Sequence, residues 1–296
     1  MKALSLRRTL ACIFAFAAGT SGLVAQTAVP LELPAQSPTA TLKQRVGVTD
    51  IEIVYSRPSM KGRVIFGAVG SGALEPWGEI WRAGANSATK VTFSTPVKLG
   101  GKDVPAGTYA LFAKLGPNEW TVILNKSSQQ QGAYAYDAKN DVVNIPVKTV
   151  KLAEPVETFT IDINDLRNDS ATLNLIWEKT RVPVKIEVDV VKMLVPQIEA
   201  VMASNAAKKP YADAAMFYLD NKLDLKKALA WMNAAIAEQP EAFYFVYRKA
   251  KVQAAMGDKA GALATAKASI EGANKAGGAI KEEYVRLNEA LIASLK

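Results

Sequence analysis

The chain has 296 residues, 49% hydrophobic and 22% charged, with no histidine, a single cysteine (Cys12) and a formal net charge of +8. That balance excludes a disordered chain, a collagen-like repeat and a polytopic membrane protein. Without histidine there is no Ser-His-Asp or Cys-His machinery and no imidazole base or ligand, and one cysteine builds neither an intrachain disulfide nor a multi-thiolate metal site, so no metal and no cofactor are expected.

In chain order, Lys2, Arg7 and Arg8 precede a short apolar stretch, Thr9 to Ala18, and then small residues ending in Leu23-Val24-Ala25. This is the pattern of a secretory signal peptide over residues 1–25, too polar for a membrane span, and it predicts an exported protein, periplasmic or extracellular. Loss of that segment would remove Cys12 and three positive charges. Residues 26–42 contain a polar, Pro-bearing leader, Val29 to Thr41, that reads as an extended linker or an edge segment. Residues 43–190 then carry short strand patterns: 51–55, 90–95, 109–114, 120–124, 142–147, 157–163, 171–177 and 182–190. Leu115 to Glu119 joins two of them as a hairpin, and Leu99-Gly100-Gly101-Lys102 and Val104-Pro105-Ala106-Gly107 mark two more tight turns. The expected fold here is an all-β antiparallel sandwich.

Alanine is 16 of 165 residues in 26–190 but 26 of 106 in 191–296, which marks a change to helix. Helices are expected at 211–221, 225–238 capped by Asp224, 242–256 closed by Gly257, 259–271 capped by Asp258, and 280–295 after Gly277-Gly278. Laying Asp224 on Asp258 is a shift of 34 residues that also places Ala228 on Ala262 and Met232 on Ala266. Thirty-four is the tetratricopeptide period, so 191–296 reads as a small all-α domain of helical hairpins, resembling tetratricopeptide repeats in part because the usual Trp, Leu and Gly of the first helix are not evident.

The least routine stretch is Ser56-Arg57-Pro58-Ser59-Met60-Lys61-Gly62-Arg63 followed by Pro76-Trp77-Gly78-Glu79-Ile80-Trp81-Arg82-Ala83-Gly84-Ala85-Asn86. With Pro105 to Phe112, Glu119 to Asn125 and Gly132 to Asp137, these strings closely resemble the domain-of-unknown-function 2911 family of exported bacterial proteins, over about Lys43 to Asp189. The resemblance implies a secreted β domain, sometimes followed by tetratricopeptide-like helices, and no established activity or cofactor. One departure is Gln131, where members often carry Trp.

Two readings of that stretch compete. Arg57, Lys61, Arg63 and Arg82 suit a carboxylate, sulfate or phosphate, and Trp77, Trp81, Tyr134 and Tyr136 offer faces for a sugar or apolar ring, with Asn86 beside them. This is a binding site for a small anionic or saccharide-like ligand. In the other reading, Trp77 and Trp81 plug the sandwich, Arg82 pairs with Glu79 or Asp137, and the glycines serve the backbone. Catalysis without histidine would fall to paired carboxylates acting on glycans, with Glu75, Glu79, Asp137 and Asp141 as candidates and Glu79 with Asp137 the pair to test. Ser87-Ala88-Thr89-Lys90 matches Ser-x-x-Lys by coincidence, because Lys90 enters a strand pattern; Gly67 to Gly72 reads as a mobile loop; and Asn164, Asp165, Asn168 and Asp169 lack calcium-loop spacing. Aromatics of the helical part, among them Phe217, Tyr218, Trp231, Phe243, Tyr244, Phe245 and Tyr247, read first as packing and second as a groove for a protein or peptide partner. No basic run supports nucleic-acid binding. The expected protein is thus an exported, non-catalytic binding protein, with a carboxylate-dependent glycan hydrolase as the alternative.

Overall fold

The computed structural model describes residues 33–296, so the expected signal peptide at 1–25, Cys12 and the start of the leader lie outside the described residues. Strands β1 (Thr39–Val46), β2 (Thr49–Ser56), β6 (Thr89–Phe93), β9 (Gly107–Lys114), β10 (Glu119–Asn125) and β11 (Asp141–Lys148) form one antiparallel sheet in that spatial order, with β5 (Ile80–Trp81) beside β9. The second sheet runs β12 (Val150–Asn164), β13 (Ser170–Glu187), β7 (Val97–Leu99), β8 (Lys102–Val104). Between β2 and β5, the short strands β3 (Phe66–Gly67) and β4 (Glu75–Pro76) pair in parallel. The two sheets adjoin at both sides, β11 against β8 and β1 against β12, which shields their edges.

Alternation decides what is inside. In β2, Thr49, Ile51, Ile53 and Tyr55 are buried while Asp50, Glu52 and Val54 are not. The core they enter is continuous from Val46 to Val190 and includes Phe93, Trp120, Phe159 and Trp177. On the other side of β9 and β10, Ala88, Ala110, Phe112 and Ile123 form a smaller cluster under the 126–140 segment.

The last residues of the leader follow the edge-segment reading: they open β1, the edge strand of the first sheet, whose Lys43 and Arg45 point outward to Glu52 at 2.7 Å and Asp50 at 3.5 Å. Two elements differ from the sequence expectation. The strands expected at 171–177 and 182–190 are one strand, β13, which runs opposite a bulged stretch of β12: between Lys151 and Thr160 the extra residues lie on β12, and Glu178 sits at φ 51° where the register shifts. Pro183 is tolerated because it lies between Arg181, the last residue paired to β12, and Ile186, the first paired to β7. Finally, Val190–Ala203 is a helix, α1, that the sequence reading did not anticipate because Pro196 stands in its middle. Asp189 caps it by accepting from the Lys192 N–H at 2.9 Å, and Val191, Met193 and Leu194 pack on the sandwich core.

Helices α2 (Tyr211–Asp220), α3 (Leu225–Glu238), α4 (Phe243–Ala255), α5 (Lys259–Ala276) and α6 (Gly278–Ser294) follow. Helix α5 runs five residues beyond the expected 259–271, to Gly277 at φ 67°. The 34-residue shift aligns structure as well as sequence. Asp224 and Asp258 both cap helices, and the pairs Ala228 with Ala262 and Met232 with Ala266 are all fully buried. Helix α2 packs on α3 and α4 on α5, and α6 closes the array through Asn288 Nδ2, which donates to Ser269 Oγ at 3.0 Å while Ser269 donates to the Phe243 carbonyl at 2.8 Å. No helix among the described residues is long and apolar enough to cross a membrane.

Candidate functional site

The strand β2 ends at Ser56, and the chain then turns toward β12 with its two arginines tied to backbone carbonyls. Arg57 donates through Nε to the Phe159 carbonyl at 3.0 Å and through Nη2 to Thr160 Oγ1 at 2.8 Å, which staples this turn to β12. Arg63 donates to the carbonyls of Met60 at 2.9 Å and Ser59 at 2.6 Å. Lys61 is exposed at φ 50°, and its backbone N–H is held by Glu157 at 2.9 Å. Arg57 and Arg63 thus each commit Nε and Nη2 to the protein itself, Arg57 half-buried and Arg63, like Lys61, exposed.

Trp81 is only 1% exposed and occupies the centre of the aromatic core. It stacks on Trp177 at 5.8 Å and meets Phe159, Phe66 and Trp120 edge-on at 4.9, 5.8 and 5.8 Å, the geometry that ring quadrupoles favour. Its indole N–H donates to the Gly84 carbonyl at 3.2 Å. To return from this plunge the backbone uses Ala83 at φ 50°, Gly84 at φ 147° and Asn86 at φ 58°. A Cβ at Gly84 would come within 2.8 Å of the Ser56 carbonyl oxygen, so only glycine fits. Thr89 Oγ1 secures the turn on the Ala83 carbonyl at 2.6 Å, and Asn86 Nδ2 reaches Ser56 Oγ at 3.2 Å. The Trp-Arg-x-Gly-Ala-Asn string is therefore the sequence of a strained turn behind a core tryptophan.

Arg82 does not pair with Glu79 or Asp137 as expected. Its electrostatic partner is Glu75, although no ion pair within 4.0 Å joins Arg82 to any carboxylate among the described residues, and its Nε is buried with no hydrogen-bond partner. Burial pushes the Glu75 carboxyl up to about 7, against the opposing pull of the Arg82 guanidinium and the Trp81 indole. Glu79 and Asp137 are both exposed, Asp137 serving as cap of a single 3₁₀ turn by accepting from the Lys139 N–H at 2.9 Å.

Tyr136 lies on the other face of the sheet. Its ring packs edge-on to Phe112 at 5.2 Å, and Phe112 and Ala113 alternate on β9, so Tyr136 and the core residue Trp81 are separated by that sheet. The Tyr136 hydroxyl donates to Asp141 at 2.7 Å, which also accepts from Asn125 at 2.8 Å and Asn144 at 3.2 Å. Burial, followed by Asp141, raises the Tyr136 pKa. This knot fastens the 126–140 segment over the sheet and leaves Tyr134 92% exposed and Gln131 bridged to Ser87. The nine predicted ligand residues are thus spread over one end turn, the core and the outer face.

Of those nine, Trp77 lines a cleft. It shares a space of about 370 Å³ with Phe66, Trp120, Lys151, Glu178 and Lys179. Trp120 forms the buried base, held by its indole N–H on the Gly116 carbonyl at 3.1 Å. Glu178 sits opposite the bulged stretch of β12 at φ 51°, where its carboxylate accepts from the Ile65 N–H at 3.4 Å. Lys151 and Lys179 are exposed at the rim. An aromatic wall with two ammonium groups and one carboxylate above it can accept a flat apolar face and an anionic substituent together.

A family model described as a protein of unknown function, DUF2911, matches residues 37–186. The chain belongs to this family. No curated protein matches it. The DUF2911 region ends one residue short of the end of β13, so the helices α1 to α6 lie outside the matched span. Phe66, Lys151, Glu178 and Lys179 come from three separate elements, and the last three lie in no distinctive string, so only the fold brings them together. Glu75 is one of four candidate carboxylates in the sequence, and only burial distinguishes it from a surface carboxylate.

The remaining motifs have structural explanations. Lys90 is in β6, on a strand as expected, and Gly67 packs so closely on Ser71 and Ala73 that a Cβ there would lie within 2.6 Å of Ser71 Oγ. The Asn164 to Asp169 loop is a tight hairpin connection, with the Arg167 N–H on the Ser170 carbonyl at 2.7 Å. Among the described residues no group of three or more Asp or Glu side chains is placed to hold a metal ion. In the helical region, Tyr218 packs on Trp231 at 4.7 Å and shares Glu199 with Lys227, and burial, then Glu199, pushes its phenol up to about 12.

Proposed function

We propose that this DUF2911 protein is an exported, non-catalytic binding protein whose β region takes a small anionic sugar. The supporting observation is the cleft of Phe66, Trp77 and Trp120 rimmed by Lys151 and Lys179. Sugar rings stack on aromatic faces, and an ammonium rim favours a carboxylate substituent, so a hexuronic acid suits both features. Export rests on the basic, apolar and small-residue order of residues 1–25. The helical region would contribute a surface for a protein or peptide partner, around the half-buried Tyr244, Tyr247 and Tyr284.

Titration of intrinsic tryptophan fluorescence with hexuronic acids, neutral hexoses and inorganic phosphate tests the cleft. Saturable change with hexuronic acids is expected, abolished by Trp77→Ala and weakened about 10-fold by Lys179→Ala, the scale of one charge-assisted hydrogen bond. No saturable change with any of the three, or an unchanged titration in Trp77→Ala, would overturn it.

A glycan hydrolase is the second reading, favoured by Glu75. A carboxyl that keeps its proton to about pH 7 is what a general acid requires, and Glu75 pairs through its backbone with Phe66 at the cleft wall. Hydrolysis of an aryl glycoside that disappears in Glu75→Gln would support it over simple binding.

A further inference from the structure

The segment between Lys61 and Leu74 is a convex excursion that neither the core nor the cleft uses fully. Its base is fixed by the parallel pairing of Phe66 with Glu75 and Gly67 with Pro76 and by the Leu74 N–H on the Val64 carbonyl at 3.0 Å. Its tip is closed by Ser71, whose hydroxyl donates to the Ala68 carbonyl at 2.7 Å. These bonds hold the loop in one shape instead of letting its side chains collapse onto the sandwich. The consequence is that Val64, Val69 and Leu74 stand 57%, 74% and 40% exposed together. The same fourteen residues contain Lys61 and Arg63, both exposed, and no acidic residue. Arg63 uses its Nε and one Nη for Met60 and Ser59, which fixes the guanidinium at the base of the loop without neutralising it. The nearest acidic contact is Glu157, which accepts from the backbone N–H of Lys61.

An exposed valine at the tip, with Val64 and Leu74 exposed at the base beside Arg63, matches the layering of an anionic bilayer, hydrocarbon below and phosphate above. A folded protein partner would call for a concave or flat complement and a larger apolar patch. We propose that the Lys61–Leu74 excursion is an interfacial loop that seats Val69 at its tip in an anionic lipid surface, with Val64, Lys61 and Arg63 at the level of the headgroups.

The test reads insertion at the loop itself. The full chain carrying Val69→Trp is mixed with phosphatidylcholine vesicles, with and without phosphatidylglycerol, whose acyl chains are brominated. Quenching in excess of the wild-type chain is expected on the anionic vesicles, at least several-fold weaker on the neutral ones, and reduced by Lys61→Glu and by added salt. The proposal is overturned if Val69→Trp is quenched no more than the wild type on anionic vesicles, an outcome that would leave the loop to an acidic protein partner. It is equally overturned if neutral vesicles quench as strongly or if Lys61→Glu changes nothing. Because residue 69 is at an exposed tip, the substitution leaves the core intact, and unchanged circular dichroism checks this.

Discussion

The sandwich and the helical array solve the packing problem in opposite ways. The sandwich concentrates bulk: Trp81, Trp177, Trp120, Phe159 and Phe66 touch one another at its centre. The array concentrates smallness, with Ala215, Ala228, Ala262, Ala266 and Ala273 fully buried between helices that approach closely. A core of large interlocked rings is sensitive to removal of atoms, whereas a core of alanines is sensitive to their addition.

Each side of that comparison can be broken. Trp81→Ala should cost most, about 3–5 kcal/mol in denaturant unfolding, because it removes the ring that four others contact. Gly84→Ala should cost about 2 kcal/mol through a forced backbone conformation and the contact with the Ser56 carbonyl, although no side chain is lost. In the array, Ala228→Leu or Ala262→Leu should cost about 1–3 kcal/mol by overpacking, whereas the same change at exposed Ala260 should be close to neutral. Loss of a cap by Asp224→Ala or Asp258→Ala should cost about 1 kcal/mol, and similar values at the two sites would support their equivalence in the repeat.

Glu75 sharpens the comparison further, because it places a titrating carboxyl beside the ring cluster. Its folded pKa of about 7 lies above the ordinary 4.5, so the folded state holds the extra proton between those values and stability falls as pH rises from about 4.5 to about 7. Glu75→Gln should flatten that slope, gaining about 2 kcal/mol relative to wild type at pH 8 that is absent at pH 4. An identical pH profile in the two chains would show that Glu75 is solvated.

Much of this was legible in the residues. The hairpin over Leu115 to Glu119, the Gly100-Gly101 turn and the helix caps follow from local chemistry, and the 34-residue shift pairs positions, Ala228 with Ala262 and Met232 with Ala266, that are buried alike. Helix α1 was hidden by Pro196, and β13 reads as two strands because the polar run Glu178 to Arg181, followed by Pro183, interrupts its apolar pattern. The site was least legible. Strings rich in Arg and Trp look like a binding surface, but Trp81 is buried and Arg57 holds the Phe159 carbonyl and the Thr160 hydroxyl, while the cleft takes Lys151 and Glu178 from strands whose proximity only the fold creates.

The central claim is that the cleft under Trp77, and not the conspicuous Arg and Trp strings as a whole, receives the ligand. Differential scanning of the wild type and Trp77→Ala with a hexuronic acid at about 100 times its Kd tests it most directly. A rise of roughly 5 °C in Tm is expected for the wild type and none for Trp77→Ala. An equal rise in both chains would contradict the account.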